Sequence, residues 1–183
     1  DGRINEDPPG GTDPNRDFGA YWQPKSIQWG VGDYPFSWVE SQHTRDFFYS
    51  HPNIAGVQAF HNAGGMILRG PGASLRGEYK RADLSVYDAI GKDGEKILEG
   101  YRYIVIWSGL YTVWGGFIDF THDLLGIYSY SNELWTSRAD LNHDKKTTDE
   151  EREFFNKYID MDNTVVPMHE IDHPKFGKIT IDR

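Results

Sequence analysis

The stretch Ile54-Ala55-Gly56-Val57-Gln58-Ala59-Phe60-His61, followed closely by Met66-Ile67-Leu68-Arg69, decides the fold class of this chain. The first run has the length and apolar content of a buried strand and delivers a histidine at its C-terminal end. Gly64-Gly65 makes the turn into a second short strand. Downstream, Asp83 to Leu98 carries Leu84, Tyr87, Ile90 and Ile97 at helical spacing and reads as an amphipathic helix. Tyr103 to Trp107 reads as another strand, Ile118 to Leu124 as a short helix, and Ile127 to Trp135 alternates like a further strand. Strands alternating with helices predict an α/β fold, a mixed β-sheet flanked by helices. Upstream, Ser37 with Glu40 at the capping-box spacing predicts a helix to about Ser50, closed by His51-Pro52. The first 21 residues, rich in Gly, Pro, Asp and Asn, read as loop.

The chain has 183 residues, enough for one domain with a substantial core. Its 6 Trp, 11 Tyr and 10 Phe demand burial or ligand contact and argue against wholesale disorder. A net charge of −9 argues against a nucleic-acid footprint or a polybasic membrane face. No apolar run is long enough to suggest a membrane span. The absence of cysteine removes disulfides, thiol nucleophiles and cysteine zinc sites. From about Ala139 the composition turns polar and acidic, with one helix expected from Thr148 through Tyr158. We therefore divide the chain into a main portion, 1–138, and an acidic tail, 139–183, packed on the same domain.

Three constellations carry chemistry. His169-Glu170-Ile171-Asp172-His173 satisfies H-E-x-x-H, which on a helix sets two zinc-binding imidazoles one turn apart. Pro167 and Pro174 flank it, so helical geometry is disfavoured and a solvated loop is the plainer reading. Asp140, Asn142, Asp144, Thr148 and Glu151 stand at positions 1, 3, 5, 9 and 12 of an EF-hand calcium loop, but Lys145 occupies the glycine position. The alternative there is a capped helix start at Thr147 or Thr148. The third set is dispersed: Asn15-Arg16, His61, Tyr111 and Glu133. Singly these are an ion pair, a core histidine, a packed tyrosine and a solvated carboxylate. Together they offer a metal ligand, a fork for a carboxylate, a phenol and a general base.

In this order, with their neighbours, these residues resemble the M14 (carboxypeptidase A-like) zinc metallocarboxypeptidases over about Asp13 to Trp135. Asp13-Pro14-Asn15-Arg16-Asp17-Phe18 looks like the family's D-x-N-R-N-F segment, departing only at Asp17. His61 matches the third zinc ligand, and Tyr111 with Gly115-Gly116-Phe117-Ile118-Asp119 resembles the mobile tyrosine and the G-G-x-x-D segment after it. Glu133 stands where the family keeps its catalytic glutamate. The resemblance implies that Asn15 and Arg16 grip the substrate's terminal carboxylate and that Ile118 floors a pocket for an apolar or aromatic last side chain. It also implies zinc and residence in a secreted or periplasmic setting. The family's upstream H-x-x-E, with the arginine that follows it, does not precede Asn15. The chain is therefore expected to be a C-terminal portion of a catalytic domain whose partners are the upstream part of that domain and a peptide with a free C-terminus. A non-catalytic module keeping the carboxylate grip, and an endopeptidase using His169 and His173, are the competing readings.

Overall fold

The computed structural model describes residues 11–134, 136, 140–142, 144–154, 157 and 169–181. After a single 3-10 turn at Pro14–Arg16, helix α1 spans Val39–Ser50. Strands β1 (Gly56–Asn62) and β2 (Met66–Arg69) follow, then α2 (Arg81–Ile97), β3 (Arg102–Val105) and the one-turn α3 (Ile106–Gly109). A short helix, α4 (Phe117–Asp119), runs into a wider turn at Phe120–Leu124 and leads to β4 (Tyr128–Leu134). The acidic tail contributes α5 (Asp149–Phe154) and a hairpin of β5 (His169–His173) with β6 (Gly177–Ile181). The helix expected through Tyr158 is described only as far as Phe154, and the remainder of that expectation lies outside the described residues.

Four strands form one mixed sheet in the order β1-β4-β2-β3, as the alternation of strands and helices predicts. β2, α2 and β3 make a parallel crossover unit. β1 and β2 are joined by only Ala63-Gly64-Gly65, yet β4 lies between them, parallel to β1 and antiparallel to β2. The connection therefore crosses the C-terminal end of β4, and the Gly65 N–H donates to the Glu133 carbonyl at 2.9 Å. Gly65 has φ +63°, and a Cβ there would sit 2.7 Å from the Thr136 hydroxyl, so only glycine makes this crossing. Strand ends at such a switch in connectivity are where α/β sheets leave a crevice.

The register puts Ala59, Ser131 and Leu68 in one row across the sheet and His61, Glu133 and Met66 in the next. That face is covered by α1, α3, α4 and the Asn15 segment through two apolar clusters. Phe18, Phe48, Phe120 and Ile127 form one, with the Phe18 and Phe120 rings stacked 5.4 Å apart. Met66, Leu68, Ile106, Val113 and Ile118 form the other. α2 covers the opposite face, where its Tyr87 packs with Ile67, Tyr79 and Tyr130.

Several local expectations are corrected. β1 is an edge strand with one half-buried face and one solvated face, so Phe60 is 63% exposed rather than core. Ser37 does not cap α1: Trp38 holds the cap position, and the Ser37 hydroxyl donates to Asp17 instead. Residues 169–173 form neither a helix nor a loop but a strand, because paired extended backbone accommodates the nearby Pro174 better than a helix does. Tyr103 to Val105 is strand as expected, but Ile106 and Trp107 turn away into α3.

Candidate active site

A cavity of about 340 Å³ opens at the C-terminal ends of β1 and β4, and it is lined by all five residues of the third constellation, Asn15, Arg16, His61, Tyr111 and Glu133, together with Ile118. Residues up to 118 positions apart in sequence thus converge. β1 carries His61 as its penultimate residue and β4 carries Glu133 at the directly paired position, so the parallel ladder sets the imidazole beside the carboxylate. Burial raises the Glu133 carboxyl above the usual range, while the nearby Arg16 guanidinium pulls it back.

Asn15 and Arg16 sit on the 3-10 turn opened by Asp13, whose carboxylate accepts the Asn15 N–H at 2.9 Å. The same carboxylate lies 3.4 Å from the Arg16 guanidinium, and Arg16 also donates to the Asn15 carbonyl at 2.8 Å. Asn15 is fixed from both ends of its amide. Its oxygen accepts the Phe117 N–H at 2.8 Å, which turns the NH₂ toward His61 Nε2 at 3.2 Å. Because that NH₂ can only donate, Nε2 accepts and His61 carries its proton on Nδ1, an assignment made from the hydrogen-bond network.

The walls differ in chemistry. Met66, Leu68, Ile106, Leu110, Val113 and Ile118 supply an apolar side, while Ser131, Asp119 and Glu133 bring polar atoms. Tyr111 is 57% exposed at the rim, on the segment after α3. The lining residues without a role assigned from sequence include the polar Asp13, Asp119 and Ser131. Asp13 and Asp119 were visible within the quoted segments, but nothing local marked them as lining a cavity. Ser131 is legible only once the β4 register is known.

A family described as zinc carboxypeptidase matches residues 1–157. The chain belongs to the zinc carboxypeptidase family. Among solved structures, carboxypeptidase A from Helicoverpa armigera is similar at 28% identity and TM-score 0.57, covering 80% of this chain and 38% of that one. Bovine thrombin-activatable fibrinolysis inhibitor, solved with tick carboxypeptidase inhibitor, shares the fold at 24% identity and TM-score 0.58, over 68% of this chain and 46% of that one. A second structure of thrombin-activatable fibrinolysis inhibitor gives 23% identity and TM-score 0.56, over 68% and 34%. No curated protein matches the chain in sequence. The chain spans less than half the length of each of these structures.

For the zinc that the family's description names, the described residues lining the cavity provide one imidazole, and its Nε2 already accepts from Asn15. Among the described residues no group of three or more His, Asp or Glu could hold a metal ion. Catalytic zinc takes about three protein ligands. The residues present do not make that centre by themselves.

The other two constellations lie away from the cavity. His169 and His173 stand at the two ends of β5 in an exposed hairpin, without the helical turn a zinc motif requires. In the tail loop the carboxylates turn onto their own backbone. Asp140 accepts from the N–H groups of Asp144 (3.1 Å) and Lys145 (2.6 Å), and Glu151 from those of Asn142 (3.2 Å) and Thr148 (2.9 Å). The Glu151 N–H returns a bond to the Thr148 hydroxyl at 3.2 Å, completing a capping box at the start of α5. The capped helix start is the arrangement present, and the calcium assignment of Asp140, Asn142, Asp144 and Glu151 gains no support. Among the described residues no helix is long and apolar enough to cross a membrane.

Proposed function

We propose that this chain forms the substrate-gripping part of a zinc-dependent carboxypeptidase that removes apolar or aromatic residues from the free C-terminus of peptides. The observation that carries the reading is the convergence of Asn15, Arg16, His61 and Glu133 on one cavity whose remaining wall is largely apolar. In this reading Arg16 makes paired charge-assisted hydrogen bonds to the terminal carboxylate, pre-aimed by Asp13. Asn15 is held rigid by Phe117 and assists. The last side chain packs against Ile118, Leu68 and Val113, and Tyr111 closes over it from the rim. Fixing both ends of the last residue presents a single peptide bond to Glu133, which takes the proton of the attacking water and returns it to the leaving amine. Its raised carboxyl suits both halves of that transfer. Further zinc ligands come from outside the described residues, and the protein acts in a secreted or periplasmic setting.

The test compares a peptide ending in phenylalanine as the free acid with its C-terminal amide. The chain is expected to bind the acid at least about tenfold more tightly, a charge-assisted pair being worth about 1.5–3 kcal/mol. Arg16→Ala removes that preference and Glu133→Gln leaves it. The protein extended to the length of its relatives releases phenylalanine from the acid, and Glu133→Gln slows that release by at least about a hundredfold. Equal binding of acid and amide overturns the reading.

A further inference from the structure

Asp119 lines the cavity beside Ile118, is only 2% exposed, and has no part in the chemistry above. Both of its carboxylate oxygens accept the same N–H, that of Gly72, at 3.1 and 3.0 Å. The Gly72 carbonyl in turn accepts the Val113 N–H at 2.8 Å, and the adjacent Pro71 carbonyl accepts the Trp107 N–H at 3.4 Å. These two bonds bracket the segment 107–113 that carries Tyr111 and contributes Leu110 and Val113 to the wall. Gly72 fits between its partners with no room to spare: a Cβ there would lie 2.6 Å from Asp119 Oδ2 and 2.7 Å from the Val113 carbonyl. Tyr111 itself, 57% exposed, has little packing of its own to hold it.

We propose that Asp119 is a positioning residue, whose carboxylate fixes Gly72 and, through the Gly72–Val113 hydrogen bond, sets the Tyr111 segment over the cavity. The proposal rests on the carboxypeptidase reading only for what the segment closes upon. The clamp itself is geometric.

The strength of the clamp depends on the charge of Asp119, because hydrogen bonds to an ionised acceptor are roughly twice as strong as those to a neutral one. The groups facing that carboxylate are few. Asp123 disfavours its ionisation and Arg76, bound to Asp123, favours it, while the nearby Tyr21 phenol, itself raised above its ordinary value, is neutral in that range. The Tyr79 hydroxyl is buried without a hydrogen-bond partner among the described residues and crowds the same side of Gly70 as Asp119 Oδ1. Burial dominates and lifts the Asp119 carboxyl to about 7, with the Gly72 N–H working against it. The segment is thus held firmly on the alkaline side of neutrality and loosens as Asp119 gains its proton.

Amide NMR of the unliganded chain reads this without any peptidase activity. The Gly72 amide proton is expected to shift downfield as pH rises through about 7, and the exchange protection of Val113 to rise by about tenfold over the same range. Asp119→Asn flattens both profiles and weakens binding of the C-terminal phenylalanine peptide by about tenfold above pH 7, a loss that fades as the pH falls and the wild-type carboxyl gains its own proton. A flat Gly72 titration in the wild-type chain overturns the proposal, and it needs no variant to fold. Should the wild-type chain fail to bind the peptide while Gly72 still titrates, the carboxypeptidase reading falls and the clamp stands. Peptide binding with a flat Gly72 profile is the converse.

Discussion

Asp17 is fully buried and accepts four hydrogen bonds, from the N–H groups of Gly32 (3.2 Å) and Trp38 (3.0 Å) and the hydroxyls of Ser37 (2.9 Å) and Ser41 (2.7 Å). It ties the residue next to Arg16 to the start of α1 and to the loop before it. Asp17→Ala leaves four donors facing an apolar void, and an unpaired buried donor costs about 1–3 kcal/mol. The variant is expected to lose at least about 3 kcal/mol in a denaturant titration, whereas Asp17→Asn, which turns one acceptor into a donor, loses about 1–3 kcal/mol. An unchanged midpoint for the alanine variant would mean that these bonds do not hold the segment. His61 and Glu133 are legible in the sequence because each is a polar group at the end of an apolar run, where a strand places it at the rim of a sheet. Asp17 and Asp119 are not, because their partners lie 15 to 24 and 47 positions away and nothing local distinguishes them from surface carboxylates.

At the scale of elements, the sequence shows where α2 is and half of the face it buries, since Leu84 and Tyr87 pack toward the sheet as expected. Ile90 and Ile97 are 52% and 78% exposed. The side against the sheet runs through Leu84, Tyr87, Gly91, Gly94 and Leu98, alternating steps of three and four, and two glycines add nothing to an apolar count. They matter by their absence of bulk. A Cβ on Gly91 would overlap the Tyr103 ring, and one on Gly94 would come within 2.6 Å of Ile67 Cδ1. Replacing a helical glycine by alanine gains about 1 kcal/mol of intrinsic propensity, while forcing a packed interface apart costs about 1–3 kcal/mol. The aromatic ring cannot yield and the tip of an isoleucine can. Gly91→Ala is therefore expected to lower the thermal midpoint and Gly94→Ala to leave it unchanged or raise it. A gain of stability in both would show that α2 rides clear of the sheet. The buried strand expected at β1 fails for a related reason: an apolar run predicts apolar surroundings, but whether one face or two are covered depends on neighbours that its own residues do not specify.

For the molecule as a whole, the fold concentrates its costly carboxylates at one cavity. Glu133 and Asp119 are both raised by burial, Asp119 to about 7. A raised carboxyl binds more protons in the folded than in the unfolded chain, so its contribution to stability is fully present below the unfolded value, near 4. That contribution is lost as pH climbs through the folded value. The chain is therefore expected to become less stable from about pH 5 to about pH 7, opposite to a protein whose carboxylates are paired in the folded state. Its net charge of −9 at neutrality acts in the same direction, since like charges repel more in the compact state as the acids ionise. Salt separates the two causes, because surface repulsion is screened and the penalty on a buried carboxylate largely is not. Raising the ionic strength should recover part of the midpoint lost at alkaline pH in the wild-type chain. Glu133→Gln removes one buried charge and should stabilise the chain at about pH 8, remain effective in high salt, and lose its advantage as the pH falls toward 4. A stabilisation by Glu133→Gln that vanishes with salt would mean that Glu133 belongs to the solvated surface, and the case for it as a proton-holding group inside the cavity would go with it.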